Sequence, residues 1–201
     1  MRVDSPQLRR VAVLIFDDVE VLDFAGPFEV FSVAGEAENI RHFEVYTVAE
    51  AHEPICTRGG MSVNPAYTIT TCPTPDVIVV PGGVGSRQAM LRQPILDWVQ
   101  HHARKPALTL SVCTGALILA KAGLLEGLTA TTHFSVLDYL RKLAPNTVVV
   151  DDQRFVDNGN IVTAAGISAG IDMSLHIVSR LLGREIAQST AKEMEYAWQA
   201  A

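Results

Sequence analysis

The stretch Ala107-Leu108-Thr109-Leu110-Ser111-Val112-Cys113-Thr114-Gly115-Ala116-Leu117-Ile118-Leu119-Ala120-Lys121-Ala122 decides how the rest of the chain is read. Residues 107–112 form a continuous uncharged run, which reads as a strand buried on both faces. Residues 115–122 are small and apolar, as suits a helix packed under a sheet. Between them Cys113 sits where a strand would turn sharply into a helix. A strand covered on both faces belongs to a parallel sheet with helices on either side.

Working outward, Val11-Ala12-Val13-Leu14-Ile15-Phe16 and Val77-Ile78-Val79-Val80 repeat the pattern of a doubly covered strand. Phe43-Glu44-Val45-Tyr46-Thr47-Val48 alternates, which suits a half-buried strand nearer an edge. Helices are expected at residues 27–34, 94–103, 134–143, 169–182 and 186–198. Shorter strands are expected at 128–131, 147–150, 154–156 and 160–163. Asp157-Asn158-Gly159-Asn160 is a hairpin turn, because Asn-Gly readily adopts positive φ. Strand and helix alternating in this way predict an α/β, flavodoxin-like, doubly wound and mostly parallel sheet, with residues 1–201 forming one domain.

The composition narrows the function classes. The formal charge is -6, and no basic stripe interrupts it, so neither nucleic acid nor an anionic membrane is an expected partner. No segment approaches the roughly 18 uninterrupted apolar residues of a membrane span, and no export signal precedes the first strand. Cys56, Cys72 and Cys113 are odd in number and widely spaced. They read as three reduced thiols in a cytoplasmic protein, with no disulfide framework and no zinc pattern.

Ligands of doubly wound sheets bind beyond the carboxyl ends of the strands. Three strand exits there carry chemistry. The first, Asp17-Asp18-Val19-Glu20-Val21-Leu22-Asp23, offers Asp23 as a proton carrier or as the N-cap of the helix starting near Gly26-Pro27. Asp17, Asp18 and Glu20 read as a solvated turn. The second, Pro81-Gly82-Gly83, lets backbone approach a ligand, and its N–H groups are candidates to stabilise a developing anion. The third is Cys113 on its turn, a cysteine version of a nucleophile elbow. The N–H groups of the following helix are expected to favour thiolate there. Local sequence leaves catalyst and inert core thiol level, because free cysteine is among the most buried residue types. His133 follows a short strand and is a candidate base, a pocket-lining residue or a structural histidine. His101 and His102 are adjacent and read as surface residues.

Taken together, these residues resemble the ThiJ/PfpI superfamily, a class I glutamine amidotransferase-like group, and within it the isocyanide hydratases. The resemblance rests on Leu22-Asp23-Phe24-Ala25-Gly26-Pro27, Pro81-Gly82-Gly83 and Ser111-Val112-Cys113-Thr114-Gly115-Ala116. It rests also on Gly123-Leu124-Leu125, Ala130-Thr131-Thr132-His133 and Ala165-Gly166-Ile167-Ser168-Ala169-Gly170-Ile171-Asp172. It implies a homodimer, Cys113 as nucleophile and Asp23 as its acidic partner. Thr114 would hydrogen-bond within the site, and Ile167 would lie on a loop against the cysteine. No metal or organic cofactor is implied. The implied substrate is a small isocyanide, hydrated to an N-substituted formamide through a thioimidate. The alternative enzyme is another cysteine enzyme of the superfamily, a glyoxalase, deglycase or amidase; those activities usually go with Glu at the acid position or His after the cysteine, where this sequence has Asp23 and Thr114. AraC-type regulators have a similar N-terminal domain, so ligand sensing or oxidative-stress sensing is the alternative to catalysis. Ser168, where some relatives have threonine, and the acidic Asp17-Asp18 turn bear on substrate choice.

Overall fold

The computed structural model describes residues 8–104 and 107–199. Its strands are β1 (Arg9–Leu14), β2 (Phe43–Ala49), β3 (Ile55–Cys56), β4 (Ser62–Val63), β5 (Tyr67–Thr68) and β6 (Val77–Val80). They continue with β7 (Leu108–Val112), β8 (Thr129–Ala130), β9 (Val148–Val149), β10 (Phe155–Asp157) and β11 (Ile161–Ala164). The α-helices are α1 (Val21–Val33), α2 (Ser86–Ala89), α3 (Gln93–Ala103), α4 (Gly115–Lys121), α5 (Leu137–Leu143), α6 (Ala169–Leu182) and α7 (Arg184–Glu193).

The main sheet has the order β10-β11-β7-β6-β1-β2-β5. Every pairing in it is parallel except β10 with β11. This is the expected mostly parallel sheet with helices on both sides. Helices α1, α6 and α7 pack together along one face, while α4 collects α2, α3 and α5 on the other. The central strands bury all their side chains, as their uncharged runs lead one to expect: Val77–Val80 and Leu108–Val112 have no exposed position. Strand β1 runs between β2 and β6, where the chain reverses its direction of growth across the sheet. Crevices open at such reversals.

Five expectations need correction. Helix α1 begins at Val21, well before Pro27, which lies inside it. Proline there removes the bond that an N–H would have given to the Asp23 carbonyl. Asp23 therefore sits in the first turn of the helix and is not an N-cap. The last helix is Arg184–Glu193 and stops short of Trp198. Residues 134–143 split into a short 3-10 turn, Phe134–Val136, and α5. His102 is buried, with its ring against Trp98, while His101 faces outward. The hairpin is where Asn-Gly places it: Asp157 pairs with Val162, and Gly159 has φ of 87°. The strand expected at 147–150 is β9, which pairs with β8 outside the main sheet.

Candidate active site

Four neighbouring strands of the sheet, β1, β6, β7 and β11, deliver one group each to a single point. Cys113 follows β7 and is buried, with φ of 56°. Left-handed backbone is uncommon for a residue with a side chain, and the surroundings must hold it. The Cys113 N–H donates to the carbonyls of Ala164, at 3.1 Å, and Ala165, at 2.9 Å, at the end of β11. Its carbonyl accepts the Thr132 hydroxyl at 2.7 Å. Gly115 closes the turn because a Cβ there would stand 2.0 Å from the Val80 carbonyl oxygen.

Asp23 is fully buried on α1. Its Oδ2 accepts the Gly82 N–H at 3.0 Å, and its Oδ1 is buried with no aligned hydrogen-bond donor among the described residues. The carboxyl also interacts with the Cys113 thiol. Burial pushes the Asp23 carboxyl up to about 7, against the opposing pull of the Gly82 N–H. Burial likewise pushes the Cys113 thiol up, to about 12, with the Asp23 charge adding to it. The N–H groups of Thr114 and Ile167 favour the thiolate and are outweighed. This reverses the expected lowering of the thiol pKa. A helix N-terminus favours thiolate, but here it competes with a desolvated sulfur beside a carboxyl. Both shifts favour the protonated forms of the pair, the thiol and the carboxylic acid.

The Gly82 and Gly83 N–H groups are not aimed into open space, as an anion-binding role would need. Gly82 donates to Asp23, and Gly83 donates to Thr114 Oγ1 at 2.9 Å. Thr114 Oγ1 in turn donates to the Gly83 carbonyl and accepts the Ser86 hydroxyl, at 3.0 and 2.9 Å. The glycine turn thus positions the acid and locks the residue after the cysteine. A Cβ on Gly82 would fall 2.4 Å from the Thr114 nitrogen and 2.9 Å from Asp23 Oδ2.

Ile167 also has positive φ, 49°, unusual for a β-branched residue. That conformation turns its N–H toward the sulfur. His133 lies at the pocket wall, its Nδ1 2.8 Å from the Ser135 hydroxyl. The cavity over Cys113 measures about 240 Å³ and is lined by Thr114, Gly83, Val84, Ile167, His133 and Ser135 together with Glu20, Arg58 and Arg87.

Sequence reading missed Thr132, Ser86, Arg58 and Arg87. Glu20, read as part of a solvated turn, lines the pocket and pairs with Arg58 at 2.8 Å. Arg58 follows the two-residue strand β3, too short to signal itself. The remaining acids of that turn are structural: Asp17 accepts the Cys56 N–H, and Asp18 has φ of 58°. Cys56 is exposed and Cys72 part-buried, both as free thiols away from this pocket. Among the described residues no cluster of three or more His, Cys, Asp or Glu side chains could hold a metal ion. No described helix is long and apolar enough to cross a membrane.

The model of the DJ-1/PfpI family matches residues 9–180. The chain belongs to that family. It is 36% identical over 188 residues to isonitrile hydratase of Pseudomonas putida, covering 94% of this chain and 78% of that one. It is 26% identical to the HTH-type transcriptional regulator GbdR of Pseudomonas aeruginosa, covering 92% of this chain and half of the regulator. Among solved structures, a ThiJ/PfpI family protein from Pseudomonas syringae superimposes with a TM-score of 0.86 at 29% identity, over 99% of this chain and 79% of that one. Relatives of this DJ-1/PfpI chain thus include both an enzyme and a regulator.

Proposed function

We propose that this protein is a cysteine-dependent hydratase that adds water to a small isocyanide and releases an N-substituted formamide. The observation that carries the reading is the pairing of Cys113 with a buried aspartate whose free oxygen has no other donor. The likeness to an isonitrile hydratase supports the same choice of substrate.

The steps follow from the two protonation states. The Cys113 sulfur attacks the terminal isocyanide carbon while Asp23 takes the thiol proton. A high thiol pKa is no obstacle when a carboxylate beside it removes that proton during attack. Asp23 then gives the proton to the same carbon, leaving a thioimidate, R–N=CH–S–Cys113. Water adds to that carbon as Asp23 removes one of its protons. Collapse transfers a proton to nitrogen, expels the sulfur as thiol and gives R–NH–CHO. Water is consumed, and enzyme and acid return to their starting forms. A carboxyl with a pKa near 7 suits both proton directions.

The test is incubation with a simple alkyl isocyanide and detection of the formamide. Formamide is expected with wild type. Absence of formamide from any small isocyanide would sink the substrate assignment.

A further inference from the structure

The rim of the Cys113 pocket carries charge that the hydration chemistry does not use. Glu20, Arg58 and Arg87 line it together with His133. Arg58 is committed to Glu20 at 2.8 Å. The Arg87 side chain, exposed on α2, makes no hydrogen bond or ion pair with any described residue. Among the described residues Glu20 is the only acid in the lining, and it pairs with Arg58. The buried Asp23 interacts with the Cys113 thiol and does not line the mouth. The mouth is therefore left with one uncompensated guanidinium on a chain whose formal charge is -6. Val84 and Ile167 provide the apolar wall alongside it.

An unpaired guanidinium beside a small cavity is a receptor for a carboxylate, which it can hold through two parallel hydrogen bonds. It also draws anions toward the opening. We propose that the ligand of this pocket is a small carboxylate-bearing molecule, its anion on Arg87 and its reactive carbon over Cys113. On the hydratase reading, on which the choice of reactive group rests, the substrate class is a short isocyano carboxylate. The cavity of about 240 Å³ is large enough for such a molecule.

Two measurements separate this inference from the reaction it builds on. The first compares kcat/KM for isocyanoacetate with that for its neutral methyl ester. Wild type is expected to favour the acid by about tenfold or more. Arg87→Gln should raise KM for the acid and bring the ratio to about one, while Arg87→Lys keeps part of the preference. Equal use of acid and ester by wild type would overturn the carboxylate inference and leave the hydratase reading standing. The second needs no turnover. Cys113 is alkylated with iodoacetate and with iodoacetamide, and the rates are read by peptide mass spectrometry with Cys72 as internal reference. The rate ratio of acid to amide is expected to be about tenfold higher at Cys113 than at Cys72, and to fall to the Cys72 value in Arg87→Gln. A wild-type ratio no higher than that of Cys72 would overturn the inference even if isocyanides are hydrated. A preference for iodoacetate without formamide from either isocyanide would instead sink the hydratase reading and keep the anionic ligand.

Discussion

Gly159 and Cys113 both carry the chain through positive φ, at 87° and 56°, but for opposite reasons. At the hairpin the residue type asks for the turn. A Cβ on Gly159 would meet nothing within 4 Å, and the local Asp157 side chain accepts its N–H at 2.7 Å. At the elbow the residue type resists the turn, and distant chain imposes it. The carbonyls of Ala164 and Ala165 and the hydroxyl of Thr132 hold the peptide groups around Cys113 in place. Left-handed backbone at a residue with a Cβ costs about 1–3 kcal/mol, and it persists where surroundings over-determine it. Conformational strain collects where the sulfur must be aimed, and the ordinary turn carries none.

Several changes would break or sharpen that contrast. The largest effect is expected from Cys113→Ala, which keeps the backbone and removes the sulfur; formamide production should fall by at least about 10⁴-fold. Asp23→Asn keeps the shape and loses the proton carrier, and should lower kcat by about 10²–10⁴-fold. In wild type, kcat/KM should rise with pH through about 7, because the carboxylate must be free to take the thiol proton. A profile flat from pH 5 to 9 would contradict the pairing. Gly82→Ala pushes a methyl into Thr114 and Asp23, and should cost about 10–100-fold in kcat while the fold survives.

Stability gives the smaller effects. Asp23 has a folded pKa raised above its unfolded value, so its contribution to stability is full below about pH 4 and is lost as pH rises through about 7. Denaturant unfolding should show wild type losing about 2–4 kcal/mol over that window relative to Asp23→Asn. Finally, Gly159→Ala should destabilise by about 1 kcal/mol, whereas Cys113→Gly should be about 1 kcal/mol more stable than Cys113→Ala. Equal stabilities for the last pair would show that the elbow is not strained.

Much of this was legible in the sequence where local rules act alone. The uncharged runs at 77–80 and 107–112 name β6 and β7 almost residue for residue, because burial on both faces leaves no room for charged positions. The Asn-Gly turn is similarly self-declaring. Helix α1 was misplaced because proline is favoured at a first helical position, and Pro27 instead stands in the interior. That error moved Asp23 from a helix's first turn to a loop end without hiding its chemistry. The sign of the thiol shift was illegible, because it depends on burial and on Asp23, both set by the assembled sheet. Positive φ at Ile167 contradicts its residue type, so only resemblance pointed there. Arg58 and Arg87 carry no motif, and only the folding of a two-residue hairpin and a one-turn helix brings them to the pocket.

The sheet order has a consequence for how the protein is made. Strand β1 is first in sequence yet central, and the end of β11 and the residue after it supply the two acceptors for the Cys113 N–H. A chain emerging from the ribosome therefore presents Cys113 long before anything can hold its turn. Until β11 docks, that thiol should titrate like any free cysteine, near about 8.5, and alkylate accordingly. The final strand of the parallel set closes the centre, so the protected state of the sulfur marks completion of the sheet and not synthesis of the cysteine.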